Sequence, residues 1–166
     1  MTEKDVQAAI ARSREFQLRY DLIVPNCYTQ YDNEADLFCL RPSGLCDEIE
    51  IKVSRSDFKV DAKKQVRISE KLEKPTLYRT HRMVRKTKRE ALEAGHMSNY
   101  FWYAVPEGLV KPDEVPSWAG LIYIYSHGSA GVVKSAKRLH KQPLSAIESY
   151  KTARKMGYKY WNKVLA

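Results

Sequence analysis

The stretch CDEIEIKVSRSDF, residues 46–58, decides the fold. Glu48, Glu50 and Lys52 alternate with Ile49, Ile51 and Val53. Successive side chains of a strand point to opposite faces, so this period of two predicts a strand with apolar residues on one side and two carboxylates and an ammonium on the other. Upstream, EADLFCL (34–40) is a second strand, and RPSG (41–44) between them reads as a turn, with Pro42 presetting φ and Gly44 free to take a positive φ. The two strands form a hairpin. Folding it about residues 41–45 brings Asp36 opposite a residue near 50, and cross-strand partners lie about 5 Å apart at Cβ. Asp36 and Glu50 therefore converge, with Lys52 just beyond.

Residues 3–18 are expected to form an amphipathic helix with Thr2 as its cap. DLIVPNCYT is a short strand broken at Pro25–Asn26. Residues 57–72 have helical composition and end before Pro75, and 80–95 form a second helical stretch stopped by Gly95. NYFWYAVP (99–106) is apolar on both parities and reads as a central strand. GLIYIYS (120–126) is another strand, GVVKSA an edge strand, and residues 144–165 a closing amphipathic helix with Gly157 as a point of interruption. This order predicts one α/β domain over 1–166, with a central mixed β-sheet flanked by helices.

The bulk properties narrow the function classes. At 166 residues, 43% hydrophobic and 30% charged, the chain has the balance of a globular domain. No apolar run reaches membrane-spanning length. The polar, acid-containing start resembles neither a signal nor a transit peptide, and Cys27, Cys39 and Cys46 read as free thiols, so a cytoplasmic location is expected. From Lys52 to His96 there are 14 Lys and Arg against 6 Asp and Glu, a surplus of eight within a formal net charge of +9. Such a block points to a polyanion, nucleic acid first, although a solvated helix face would look the same.

Two carboxylates and a lysine suit a hard divalent cation. Magnesium takes carboxylate oxygens and leaves positions for phosphate oxygens, and an adjacent ammonium can orient water and balance developing charge. A solvent-exposed salt bridge would use the same residues. Ser54 and Arg55 offer phosphate contacts, with Ser56 as an alternative helix cap. Lys63 and Lys64 are placed on the following helix, facing either DNA or solvent. Glu48, one pleat nearer the turn, is expected to pair with a surface cation. None of the four histidines has ligand-pair spacing. Tyr158, Tyr160 and Trp161 are read as core or as a contact with a second copy, a homodimer.

EADL, PSG and EIEIKVSRSDF, with YAVPEGLV and VPSWAGLIYI downstream, resemble the PD-(D/E)XK nuclease superfamily, and within it small MmcB-like, DNA-repair-type members of bacteria and phages. The resemblance covers roughly 34–60 and 98–140. It implies a restriction-endonuclease-like fold and Mg²⁺- or Mn²⁺-dependent hydrolysis of DNA leaving a 5′-phosphate, in the cytoplasm of a bacterial cell or phage-infected host. It implies Asp36, Glu50 and the Ile51 backbone carbonyl as metal ligands, Lys52 as the catalytic lysine, and a first-helix glutamate, Glu3 or Glu15. Ala35 stands where a proline gives the family its name. The basic stretch at about 74–97 reads as a helical insertion, with Arg82, Arg85 and Arg89 as DNA contacts. A binding module of the same fold without cleavage, and an interaction protein with an acidic partner, are the rival readings.

Overall fold

The alternation of residues 46–53 places β3 (Cys46–Ile51) at the heart of a six-stranded sheet in the computed structural model, which describes all 166 residues. The strand order is β1 (Leu22–Tyr28), β2 (Glu34–Leu40), β3, β6 (Tyr100–Pro106), β7 (Gly120–Ile124), β8 (Ala130–Lys134). β1, β2 and β3 form an antiparallel meander, β6 and β7 join parallel to β3, and β8 closes the edge antiparallel. The sheet is mixed and flanked by helices, and the chain is a single α/β domain. No helix is long and apolar enough to cross a membrane.

Both faces of β3 are covered. Ile49 and Ile51 join Val6, Ile10 and Phe16 of the N-terminal helices and Trp102 of β6. The opposite parity of β6, Phe101, Tyr103 and Val105, packs with Phe58, Leu92 and Met97. Glu48 is in register with Phe101 and Glu50 with Tyr103, so both carboxylates lie on that second, covered face. Two more constraints hold the centre. Buried Asp47 accepts hydrogen bonds from Arg41, the Tyr20 hydroxyl and Trp102 Nε1. Gly120 sits against the Trp102 ring, where a Cβ would come within 2.1 Å of a ring carbon.

Several expectations are corrected. The N-terminal helix is two: α1 (Glu3–Arg12) and α2 (Arg14–Arg19), separated by an extended Ser13. At about 100° per residue Phe16 would fall some 120° from Ile10 on a continuous helix, and the break turns its ring into the core. β1 runs through Pro25, tolerated at a sheet edge, with Asn26 at φ +45. The helix expected over 57–72 is a short α3 (Arg55–Asp61) followed by a strand, β4 (Gln65–Lys71). Buried Val66 and Ile68 alternate with exposed Gln65, Arg67 and Ser69, a period of two that outweighs the helical composition.

Residues 80–95 likewise split into β5 (His81–Thr87) and α4 (Lys88–Glu93). β4 and β5 pair antiparallel from Gln65↔Thr87 to Lys71↔His81. The basic insertion is thus a β-ribbon ending in a short helix, not a helical segment. A Thr87/Glu90 capping box starts α4, and it ends as expected at Gly95, φ +72, with the His96 and Gly95 amides donating to Ala91 and Leu92. The closing helix α5 (Ala146–Leu165) is unbroken at Gly157. Tyr158, Tyr160 and Trp161 are 57–61% exposed and are not core.

Candidate active site

β2 runs away from the point where β3 arrives, so the hairpin register sets the site. Leu37 faces Ile49 in the last pair of the ladder, and the same register carried one residue further would set Asp36 opposite Glu50. There the backbone ladder ends: the Asp36 carboxylate accepts a hydrogen bond from the Ile51 amide through Oδ2, at 2.7 Å. The Lys52 amide donates instead to Ala104 of β6, which aims the lysine back over Glu50. An open cleft of about 510 Å³ lies at this end of the sheet, lined by Glu3, Asp36, Glu50, Ile51, Lys52 and the α3 residues and turn that follow. It sits beyond the carboxyl end of a parallel strand, where sheets of this class bind ligands.

Glu50 is the hub. Its Oε1 accepts from Lys52 Nζ at 2.8 Å and lies 3.2 Å from Lys64 Nζ. Its Oε2 accepts from Lys88 Nζ at 2.5 Å. Lys88, 1% exposed, also reaches Glu48 Oε1 at 2.6 Å, and the same oxygen accepts from Asn33 Nδ2. Glu48 therefore does not pair with a surface cation. It is fully buried beneath α4, because the face expected to meet solvent is roofed by that helix. Lys52 also pairs with Asp61 Oδ1 at 3.2 Å, while Asp61 Oδ2 accepts from the Tyr103 hydroxyl.

The electrostatics separate the two hairpin carboxylates. Burial and then the Glu50 charge push Asp36 up to about 6, with the Ile51 amide only partly opposing them. Burial would raise Glu50 too, but Lys88, then Lys64 and Lys52, hold it well below the usual carboxylate range. Burial disfavours charge on Lys52 and Lys88, yet the adjoining carboxylates more than offset it and raise both. Asp36 is thus a carboxylate with negative charge left unmatched at the mouth of a cleft, which a cation would relieve. The donors around it, Asp36, Glu50, the Ile51 carbonyl and Glu3, are oxygens of the kind magnesium prefers. No three His, Cys, Asp or Glu side chains are gathered at metal-binding distance.

The other expected residues divide. Glu3 lines the cleft, whereas Glu15 pairs with Arg19 on α2. Ser54, not Ser56, caps α3 by accepting from the Asp57 amide. Arg55 makes a two-pronged bond to Glu114 and donates to the Leu109 carbonyl, so its guanidinium is occupied. Lys63 and Lys64 lie in the turn after α3 rather than on a helix, and both line the cleft. Arg82 is 3.4 Å from Glu70, Arg85 points outward from the ribbon, and Arg89 is half-buried on α4. Lys88, Asp61 and Asn33 were missed. The T-x-x-E box at 87–90 could have placed Lys88 at a helix start, but nothing local ties it to Glu48, 40 residues earlier.

No family model matches the chain, and no curated protein is significantly similar to it. A solved structure of a Silicibacter pomeroyi protein of unknown function superposes with a TM-score of 0.61 over 99% of this chain and 89% of its own, at 19% identity. At that identity the likeness is one of fold.

Proposed function

We propose that this chain is a metal-dependent nuclease of PD-(D/E)XK type that hydrolyses phosphodiester bonds in DNA, acting in the cytoplasm of a bacterial cell or phage-infected host. The observation that carries the reading is that Asp36, Glu50, Ile51 and Lys52 line one open cleft at the end of β3. The Asp36 and Glu50 carboxylates and the Ile51 carbonyl, with Glu3 at the cleft wall, would hold Mg²⁺ or Mn²⁺. When bound, the metal supplies an acidified water and neutralises phosphate charge. Lys52 is anchored by Glu50 and Asp61, so its ammonium is held at the cleft, where it can orient an attacking water and balance charge on phosphorus. Lys63 and Lys64 favour an incoming phosphate backbone.

One observation favours a second reading, a binding module of the same fold that does not cut. Both oxygens of Glu50 are engaged by ammonium groups, which compete with a metal for the same carboxylate. Supercoiled, linear, single-stranded and branched DNA incubated with Mg²⁺, Mn²⁺ or EDTA decide between them. Metal-dependent cleavage that Asp36→Ala abolishes and Lys52→Met slows by about 10² to 10³ supports the nuclease. Binding without cleavage of any substrate supports the module. Neither metal nor DNA dependence would overturn both.

A further inference from the structure

The basic insertion leaves the cleft as a two-stranded arm. Lys64 and Lys88, both on Glu50, stand at its two feet, and the Lys88 amide donates to the Lys64 carbonyl at 2.8 Å to close the base. Val66, Ile68 and Val84 pack the first half against the core. Beyond them, every residue from Lys71 to Met83 is exposed except half-buried Leu72. The tip is a closed turn: the Thr76 amide donates to the Arg79 carbonyl, and the Arg79 amide returns to Thr76 Oγ1. Central turn positions are ordinarily filled by Gly, Asn, Asp, Pro or Ser. Here they hold Leu77 and Tyr78, 90% and 95% exposed.

The arm's charge is only partly matched. Residues 65–87 carry seven Lys and Arg against Glu70 and Glu73. Glu70 is used by Arg82 and Lys86, and Arg67 is held by Asp32. Lys71, Lys74, Arg79 and Arg85 make no ion pair. Arg67 and Arg85 are directly opposite one another on the outer face, and Lys71 faces His81. Cross-strand like charges repel, and of the two arginines only Arg67 has a carboxylate, Asp32, so Arg85 is left for an external anion. A strand pair of seven residues spans about 23 Å, and the β-ribbons of DNA-binding proteins lie in the major or the minor groove of a duplex. Apolar side chains at a projecting tip are the wedge by which DNA-bending proteins part a base step.

We infer that the β4–β5 ribbon is a duplex-binding arm, with its cationic outer face along the groove and Leu77 and Tyr78 inserted into the base stack. It rests on the nucleic-acid reading above and gives it a substrate class: double-stranded DNA at a weakened step, such as a mismatch, adjoining the cleft by way of Lys64 and Lys88. Inserting two side chains costs unstacking, so weakly stacked sites bind best.

The test uses the full chain in EDTA, so that cleavage plays no part. Probes are perfect and single-mismatch duplexes carrying 2-aminopurine, the corresponding single strand, and anionic phospholipid vesicles. The expected result is a roughly tenfold preference for the mismatched duplex with a rise in 2-aminopurine fluorescence. Leu77→Ser/Tyr78→Ser should lose both, while Tyr158→Ser, which removes an exposed aromatic from α5, should keep them. The inference is overturned if the double variant matches the wild type, if single strand or vesicles bind more tightly than duplex, or if no DNA binds. Failure of the nuclease reading shows separately, as a normal fluorescence response with no cleavage in Mg²⁺ or Mn²⁺. Cleavage by a protein whose double variant still unstacks the mismatch sinks the arm alone.

Discussion

Lys88→Met is the sharpest probe of the site. The ammonium is 1% exposed, lies 2.6 Å from Glu48 and 2.5 Å from Glu50, and sits 5.1 Å from the centre of the Phe101 ring. Methionine keeps the stem and its packing but leaves Glu48 buried with Asn33 as its hydrogen-bond partner. Removing one member of a buried ion pair costs about 3 to 5 kcal/mol. For a chain of this length each kcal/mol is worth about 2 to 4 °C, so the melting temperature should fall by roughly 6 to 20 °C. Burial makes the loss insensitive to salt. The pH trend has a definite sign. Glu50, held below its ordinary value of 4.5 in the folded protein, contributes stability above that pH that is lost on acidification. Lys88→Met weakens that contribution, so the gap to wild type should be widest near neutrality and narrow below about pH 4.5. Calorimetry of wild type, Lys88→Met, Glu48→Gln and the double variant closes the cycle. The double variant removes charge from both sides and should recover much of the loss. A single variant melting within a degree or two of wild type, or a double variant no better than the single, would refute the buried triad.

Asp36→Asn should stabilise the protein above pH 6 by up to about 3 kcal/mol, because the Asp36 carboxyl is raised to about 6 from 3.8 and each unit is worth about 1.4 kcal/mol. Its raised value favours folding at low pH and is lost as pH climbs through 6, so denaturant midpoints of the two proteins should meet below pH 4. On the ribbon, Arg85→Ala should reduce the log–log salt dependence of DNA binding by about one unit, while Arg82→Ala, already shared with Glu70, should change it less; equal effects would contradict the outward placement of Arg85. Gly120→Ala should cost at least about 1 to 3 kcal/mol, because its Cβ would lie 2.1 Å from the Trp102 ring in the middle of the sheet. An unchanged thermal midpoint would mean that β6 and β7 are not packed as described.

The β2–β3 hairpin was legible because its information is local. The alternation of 46–53 sets each side chain's parity, Gly44 takes its positive φ in the connecting turn, and counting outward from the turn brings Asp36 to Glu50. Lys52 follows from the same count, and the apolar run of β6 announced a strand buried on both faces. Residues 65–71 and 81–87 were misread as helix because their many charges satisfy a helix as readily as a ribbon, and only the short alternation around Val66 and Ile68 distinguishes them. Tertiary structure decided what the carboxylate face of β3 meets. Parity places Glu48 beside Glu50 but not whether water or α4 covers them. That depends on a chain returning 40 residues later with Lys88 at its helix start, where two buried carboxylates draw in the ammonium that burial alone would exclude.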